Sequence, residues 1–260
     1  MSLRHTLKRK LPWPFLYIYR KLYYLPLDAR AAAKLVCGRT KVKASFGRKL
    51  SLVLRFYLIS YKVDCPHTEN ELLTIARDIL NIDPAVPGAL LEAGAFHGGS
   101  TAKLSLVARL AGRELLVFDS FEGMPENAEA GGRSIFGREH HFPKGSHAVG
   151  LEEVKENVRK YGDISRTEFS KGFFKDTLPG LAGPVAAACV NVDLKESTRD
   201  CLKYVFPLIP KGGLFFSQDG HFPWIIELLK DDGFWKEEIG ISRPKMDGLR
   251  TSKLVVIYPA

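Results

Sequence analysis

Apolar residues recur along the chain in two alternating patterns, short continuous runs and helical repeats, and this alternation predicts strands separated by helices. The run ALLEAGAF (89–96) predicts a strand, and the spacing of apolar residues in STAKLSLVARLA after it predicts a helix. Because repeated strand–helix units form parallel sheets covered on both faces, we predict an α/β protein with a mainly parallel seven-stranded sheet and helices on both faces. The predicted strands are 89–96, 114–120, 166–172, 186–194, 212–220, 233–240 and 253–259.

The segment before these strands has a different composition. Residues 1–65 contain 15 Lys and Arg side chains against only Asp28 and Asp64, whereas residues 66–260 contain 23 basic and 27 acidic ones. We therefore predict a basic, aromatic-rich helical N-terminal arm (1–65) followed by a globular domain (66–260). The domain opens with a predicted helix, which Thr68 and Glu71 begin with the spacing of a capping box.

Charge and composition exclude several classes of protein. The basic excess lies outside the globular domain, so the domain lacks the charge that nucleic-acid binding requires, and we expect no nucleic-acid partner. No uncharged apolar run reaches the roughly 20 residues of a membrane-spanning helix. The four cysteines have no metal-ligand spacing. We therefore expect a reduced, cytoplasmic protein.

The first 28 residues interleave basic side chains with aromatic rings. One interpretation is a peripheral contact at the inner face of the membrane, with the rings at headgroup level and the cations facing anionic lipid. The other is a helical extension that packs on the domain or on a second subunit, in a homodimer. The rings are Trp13, Phe15, Tyr17, Tyr19, Tyr23 and Tyr24.

A glycine-rich turn (92–101) joins the first predicted strand to its helix and is a candidate ligand-binding loop. Glycines let a ligand approach the backbone, and the helix N-terminus offers free N–H groups. The turn lacks the GxGxxG spacing of a nicotinamide-binding loop, and no P-loop lysine follows it. Asp119, at the end of the second strand, is placed to accept both hydroxyls of a ribose, with a capping or turn residue as the alternative.

Two further carboxylates end later strands, Asp193 after the fourth and Asp219 after the fifth. The carboxyl ends of parallel strands border the binding crevice, so this pair is a candidate cation site or general base. Capping of the next helix is the alternative. The polar, glycine-rich segment 122–150 is too long for an ordinary connection and predicts a lid or an insertion.

The glycine turn and four later blocks resemble the macrocin O-methyltransferase family. The resemblance extends from about Glu69 to Ala260 and leaves the basic arm outside. It implies a Rossmann-like class I methyltransferase fold, S-adenosylmethionine as methyl donor, and methylation of a hydroxyl on a sugar, a glycosylated natural product or a glycan. The four blocks are VFDSFEGMP (117–125), GFFKDTLPG (172–180), VDLKESTRDCLKYVFPLIPKGG (192–213) and SQDGH (217–221).

For the donor, the resemblance implies a site built from three loops. The glycines let the backbone approach the amino-acid end of the donor, Asp119 binds the ribose, and Ser120 with Phe121 flanks the adenine. Glu92 contacts the amino-acid end or orients the loop, and Lys171 with Gly172 borders the adenine. The predicted donor-binding residues are Glu92, Gly94, Gly98, Gly99, Ser100, Thr101, Asp119, Ser120, Phe121, Lys171 and Gly172.

For the acceptor, Asp193 and His221 are the candidate catalytic residues, and Asp193 with Asp219 is the candidate Mg²⁺ site. The family pattern D-x-D-L-Y corresponds to residues 191–195, where this chain begins with Asn, and its Asp-Asp-Tyr corresponds to residues 218–220, here Gln-Asp-Gly. With only two carboxylates we expect a weak or absent Mg²⁺ site. Two alternative functions stay open, a non-catalytic member that binds donor or partner and a nicotinamide-dependent oxidoreductase.

Overall fold

The structure, a computed structural model, describes residues 13–127, 129 and 132–259, with the side chains of the first helix from residue 24 onward. The helices are α1 (Trp13–Cys37), α2 (Phe46–Lys62), α3 (Glu69–Leu80), α4 (Gly99–Ala111), α5 (Leu151–Tyr161), α6 (Phe174–Thr177), α7 (Lys195–Val205), α8 (Pro223–Lys230) and α9 (Asp232–Phe234). The strands are β1 (Ala89–Ala93), β2 (Leu115–Asp119), β3 (Gly132–Arg133), β4 (Glu139–His140), β5 (Thr167–Lys171), β6 (Val185–Val190), β7 (Leu214–Ser217), β8 (Lys245–Asp247) and β9 (Val255–Tyr258).

Seven strands form one sheet in the order β5-β2-β1-β6-β7-β9-β8, and β3 pairs with β4 in a separate hairpin. The five strands from β5 to β7 are parallel, whereas β9 is antiparallel to both β7 and β8. The chain leaves β1 towards β2 and β5 and then returns to β6 on the other side. Such a reversal opens a crevice at the carboxyl ends of the central strands.

Helices cover both faces of the sheet. Successive strand residues point to opposite faces, and Leu90 packs in one hydrophobic cluster with α1 to α5 while Leu91 packs in a second with α7 and α8. All six residues of β6 are buried, as a central strand requires. The predicted mainly parallel seven-stranded sheet with helices on both faces is thus confirmed.

The predicted strand 233–240 is wrong. This segment is helical, because the Asp231 side chain accepts the N–H groups of Gly233 and Phe234 and so begins α9, which continues as a π-helical turn. The indole of Trp235 is fully buried and donates to the carbonyl of Leu229 at 2.9 Å. The seventh strand is instead β8, which sequence analysis did not predict.

The N-terminal helices pack on the domain over the residues that the structure describes. Leu35 of α1 and Phe56 of α2 are fully buried in the same cluster as Ile75 of α3, and the Asp28 carboxylate accepts the N–H of Asn70 at 2.9 Å. The side chains of residues 1–23, which include most of the interleaved rings, lie outside the described part. No described helix has the length and apolar character needed to cross a bilayer.

The outward face of α2 carries an apolar stripe, here called the outer stripe. Its members recur every four residues and so lie along one side of the helix. Arg48 and Arg55 are also exposed on this helix, and Phe46–Lys62 contains no acidic residue. The outer stripe consists of Phe46, Leu50, Leu54 and Leu58, which are 61, 40, 62 and 49% exposed.

Candidate active site

The loops that follow β1, β2 and β6 meet at the carboxyl edge of the sheet. Gly94 has a φ of 91°, and a Cβ there would lie 2.1 Å from the carbonyl oxygen of Asn191, so only glycine fits. The Gly94 N–H donates to Phe118 and the Asn191 N–H donates to Ala93, both at 3.0 Å. These main-chain bonds fix the three loops against one another where the sheet reverses direction.

Three non-glycine residues in these loops have left-handed backbone conformations. Phe96, Phe121 and Asp193 have φ values of 50°, 54° and 60°, and each follows a different strand. Such a conformation costs an L-residue of order 1 kcal/mol and is concentrated at functional sites, where the surrounding structure holds it. This clustering at one edge of the sheet supports a functional crevice there.

Asp119 ties two of the loops together. One carboxylate oxygen accepts the N–H of Ala95 and the other that of Phe121, each at 2.7 Å. Burial raises the pKa of Asp119, and the backbone N–H groups oppose that rise. An ionised carboxylate has about four acceptor positions, and the backbone N–H groups of residues 95, 96, 120 and 121 all act on this one. Asp119 therefore serves first as a turn residue, and a ribose hydroxyl would share its oxygens with these N–H groups.

Two of the predicted glycines are explained by packing inside the protein. A Cβ on Gly98 would lie 3.0 Å from Val154 of α5, and one on Gly99 would lie 2.9 Å from the Cβ of Cys65. Gly98 has a φ of 80°. The glycine at both positions is thus required by the close approach of α4 to its neighbours, whichever ligand the loop binds.

Glu92, at the end of β1, is buried together with Ser100 and Thr101 of α4. The Glu92 Oε2 and the Thr101 Oγ1 have no hydrogen-bond partner among the described residues. Burial raises the pKa of Glu92 to about 8. The Ser100 and Thr101 hydroxyls lie near enough to the carboxylate to oppose the shift, but the Thr101 hydroxyl does not reach hydrogen-bond geometry. Buried polar atoms without partners are costly, and their presence beside the glycine turn fits the polar amino-acid end of a methyl donor.

The remaining predicted donor residues lie around Asp119. The Ser120 hydroxyl donates to the carbonyl of Gly123 at 2.9 Å, and the Phe121 side chain is buried. Lys171 forms an exposed ion pair with Glu122 at 3.0 Å. The Gly172 N–H donates to the Asp119 carbonyl at 3.0 Å, which brings the end of β5 to the same edge.

Asp193 and Asp219 form the second half of the crevice. Asp219 is fully buried, and its Oδ2 accepts the N–H groups of Val192 and Asp193 at 2.8 and 3.0 Å. Its Oδ1 has no partner among the described residues. Burial raises the pKa of both carboxyls, and the negative charge of Asp193 raises that of Asp219 further. Asp219 thus contacts the Asp193 backbone, which brings the loop after β6 and the loop after β7 together. That the two side chains form one site stays a prediction.

His221 lies against aromatic rings beside this pair. Its ring centroid is 3.9 Å from that of Phe222 and 5.6 Å from that of His140, and its Nδ1 has no described partner. Burial, together with the charge of Lys253, lowers the pKa of His221 to about 3. The imidazole is thus neutral and a weak base.

The residues at the acceptor side do not fit a Mg²⁺ ion. The Gln218 side chain is held by a hydrogen bond between its Nε2 and the Nδ1 of His67 at 2.9 Å, and both are buried. Asp219 already uses one oxygen for two backbone N–H groups. Within the described residues, no three His, Cys, Asp or Glu side chains are grouped so as to hold a metal ion.

Lys253 also acts at this site, since its positive charge lowers the pKa of both Asp193 and Asp219. Lys253 precedes β9, and the register of β9 against β7 carries it to the end of β7. Lys253 reaches this position because β9 inserts antiparallel between β7 and β8. No local pattern in the sequence indicates that insertion.

The described part of segment 122–150 contacts the acceptor side of the crevice. The Ile135 N–H donates to the His221 carbonyl at 2.9 Å, and the Glu129 carboxylate accepts the N–H of Lys195, the first residue of α7, at 3.0 Å. A Cβ on Gly132 would lie 2.3 Å from the ring of Trp224. The described part of the segment thus touches the loop after β7, α7 and α8.

Comparison with known proteins identifies the family. The sequence model described as macrocin-O-methyltransferase (TylF) matches residues 70–238, well over half of the chain. The chain belongs to the macrocin O-methyltransferase family. The match begins in α3 and includes the loops after β1, β2, β6 and β7 that form the crevice, and it leaves α1 and α2 outside.

Two curated relatives are O-methyltransferases of Streptomyces. The chain is 37% identical over 173 residues to the 8-demethyl-8-(2,3-dimethoxy-α-L-rhamnosyl)-tetracenomycin-C 4′-O-methyltransferase of Streptomyces olivaceus, an alignment that covers 63% of this chain and 64% of the relative. It is 34% identical over 139 residues to the demethyldecarbamoylnovobiocin O-methyltransferase of Streptomyces niveus, covering 52% and 53%. The chain thus spans less than two thirds of the length of either relative.

Two solved structures share the fold. The O-methyltransferase NovP superimposes with a TM-score of 0.67 at 24% identity, covering 82% of this chain and 99% of NovP. The calicheamicin methyltransferase CalS11 superimposes with a TM-score of 0.55 at 17% identity, covering 90% and 91%. At these identities the similarity establishes the fold alone.

Proposed function

We propose that this family member is an S-adenosylmethionine-dependent O-methyltransferase that methylates a hydroxyl of a sugar, a glycosylated natural product or a glycan. The observation that carries the proposal is the meeting of two half-sites in one crevice. The glycine turn with Glu92 and Asp119 lies on one side, and Asp193 with Asp219 lies on the other. The name of the Streptomyces olivaceus relative, which acts on a rhamnosyl tetracenomycin, supports a sugar-bearing acceptor.

At the donor half, the chain offers complementary groups for each part of the ligand. The donor supplies a methyl carbon on a positively charged sulfur. Glu92 and the hydroxyls of α4 would bind its amino-acid end, and Asp119 would accept a ribose hydroxyl. Ser120 and Phe121 on one loop and Gly172 on the next would border the adenine. Holding the acceptor oxygen in line with the methyl group is the main contribution that such a site makes to the rate.

At the acceptor half, Asp193 is the proposed general base. As the new oxygen–carbon bond forms and the carbon–sulfur bond breaks, the sulfur keeps the electron pair and the hydroxyl proton passes to the Asp193 carboxylate. Burial makes this carboxyl a stronger proton acceptor than an exposed aspartate. His221, with a pKa of about 3, is the weaker candidate and instead forms a wall of the acceptor pocket.

The test is transfer of labelled methyl from S-adenosylmethionine to fractions of a cell extract and to methyl α-L-rhamnoside. We expect label in a glycoside or glycan fraction, and loss of transfer in Asp193→Asn with unchanged donor affinity by calorimetry. Donor binding without transfer to any fraction would indicate a non-catalytic member. Binding of NAD⁺ in place of the donor would indicate an oxidoreductase.

We further propose that the protein carries out this activity at the membrane surface, which it contacts peripherally. The outer stripe presents four apolar side chains beside exposed arginines on a helix without acidic residues, which fits an anionic lipid surface by hydrophobicity and charge. Lipid-linked glycans are one class of acceptor found at such a surface. The competing occupant of the stripe is a second copy of the chain, in a homodimer.

A further inference from the structure

Lys253 lies opposite Asp219 across the last antiparallel strand pair. In the β7–β9 register Ser217 faces Val255, so two residues further along Lys253 comes opposite Asp219. The hydrogen bond from the Gly220 N–H to the Lys253 carbonyl, 2.9 Å long, continues the pairing beyond the strands. Opposite residues in an antiparallel pair project to the same face. The fold therefore brings an ammonium group to the carboxylate pair.

The charge of Lys253 acts on the acceptor side as a whole. It lowers the pKa of Asp193 and Asp219, and also those of His221 and His140. Among the contacts that the structure describes, no carboxylate is within 4.0 Å of its ammonium, so the group is not committed to an ion pair. The half-buried Lys253 thus lies opposite Asp219 in the strand register, and its charge acts on both carboxylates without a described ion pair to either.

Two buried carboxylates require a nearby positive charge if both are to ionise. A divalent cation is one source, but Gln218 is bonded to His67 and the remaining side chains do not complete a coordination shell. An ammonium needs no complete coordination shell, because it donates three hydrogen bonds and requires only acceptor oxygens as partners.

We propose that the Lys253 ammonium takes the place of a divalent cation at the acceptor site, where it binds the oxygen of the hydroxyl that is methylated. This inference rests on the proposed O-methyl transfer. As the proton moves to Asp193, negative charge develops on the acceptor oxygen, and a preorganised ammonium stabilises that charge in the transition state. The reaction then proceeds without a metal ion.

The first experiment measures divalent cation binding, which needs no acceptor. Mn²⁺ is titrated into wild type, Lys253→Gln and the surface control Lys211→Gln, with bound Mn²⁺ quantified by electron paramagnetic resonance. Removal of the ammonium leaves the carboxylates uncompensated, so we expect Lys253→Gln to bind Mn²⁺ at least about tenfold more tightly than the other two. Equal Mn²⁺ affinity in all three proteins would overturn the proposal.

The second experiment measures turnover on whichever acceptor takes up label. We expect wild-type turnover to persist in EDTA, kcat of Lys253→Gln to fall about a hundredfold, and Lys253→Arg to keep more activity than the Gln variant. Donor affinity by calorimetry should be unchanged in all of them, which also reports folding. Full wild-type kcat in Lys253→Gln would refute the proposed role of Lys253, and so would complete inactivation by EDTA that Mg²⁺ restores.

Absence of transfer by wild type would instead refute the proposed function. The comparison of Mn²⁺ affinities would still decide whether Lys253 replaces a cation.

Discussion

The Nε2 of Gln218 lies 2.9 Å from the Nδ1 of His67, and this contact joins the turn before α3 to the loop after β7. An amide nitrogen only donates, so Nδ1 accepts and the imidazole proton is on Nε2. Burial and the charges of Lys253 and Lys103 hold the pKa of His67 well below its ordinary value, which keeps the ring neutral as this bond requires. The N-terminal helices are thereby connected to the acceptor side of the crevice.

The Gln218–His67 bond should contribute measurably to stability. Gln218→Ala and His67→Ala should each lower the free energy of unfolding by about 1–3 kcal/mol, because each leaves a buried polar partner unsatisfied. The double variant should lose less than the sum of the two. Urea denaturation of the four proteins gives the coupling energy. The same cycle on the exposed pair Arg166 and Glu114 is the control, and a buried-pair coupling no larger than that of the control would contradict this prediction.

Asp119 should be required for donor affinity. Asp119→Asn removes the charge and one acceptor of a carboxylate that also holds Ala95 and Phe121, so we expect donor affinity to fall by about 1.5–3 kcal/mol in calorimetry. Asp83→Asn is the matched control, since Asp83 likewise accepts a backbone N–H, from Ala85, but far from the crevice. Wild-type donor affinity in a folded Asp119→Asn protein would contradict the assignment.

Glu92 should make stability fall as pH rises. Its pKa is raised to about 8 in the folded protein, so between its unfolded value of 4.5 and 8 the folded state holds a proton that the unfolded state has lost. The stabilisation that Glu92 contributes is therefore complete below pH 4.5 and is lost as the pH rises to 8. Glu92→Gln has no such pH dependence. Its free energy of unfolding should therefore rise relative to that of wild type by at most about 1.4 kcal/mol per pH unit over that window. Denaturation at pH 5, 6.5 and 8 measures the difference; a pH-independent difference would contradict the raised pKa.

Segment 122–150 is proposed to be a lid that closes over bound donor and acceptor. Glu129 holds it to the first residue of α7, so Glu129→Ala should speed tryptic cleavage at Arg133 and Arg138. Glu126→Ala, which alters only an exposed carboxylate of the same segment, should leave the cleavage rate unchanged. Donor with product should protect wild type. Equal cleavage with and without these ligands would indicate a static loop.

The outer stripe should bind anionic vesicles. Leu54→Glu places a negative charge in the centre of the stripe and should reduce co-sedimentation with phosphatidylserine vesicles. Ala182→Glu makes the same charge change in an exposed loop and should leave co-sedimentation unchanged. Higher salt should weaken binding of wild type. A dimer in sedimentation velocity that Leu54→Glu dissociates, without vesicle binding, would assign the stripe to a homodimer instead.

The sequence predicts the parts of this protein that depend on local pattern. The parallel strands, the capping box of Thr68 and Glu71 and the meeting of the loops that carry Asp193 and Asp219 follow from periodicity, spacing and the rule on strand ends. The aromatic residues of segment 233–240 favour a strand by local pattern, but the Asp231 cap and the burial of Trp235 stabilise a helix there. Partners far apart in the chain depend on tertiary register, which local pattern does not contain.

The position of β9 between β7 and β8 has a consequence for the order of folding. Strand β8 has no neighbour in the sheet until β9 pairs with it, so the two should form a hairpin locally and dock on β7 as a unit. The proposed donor half-site consists of residues 92–121 with Gly172 after β5, and it needs only the neighbouring strands β1, β2 and β5. The acceptor half-site needs the hairpin, because docking carries Lys253 to Asp219. We therefore expect a nascent chain to acquire affinity for the donor before it can orient an acceptor.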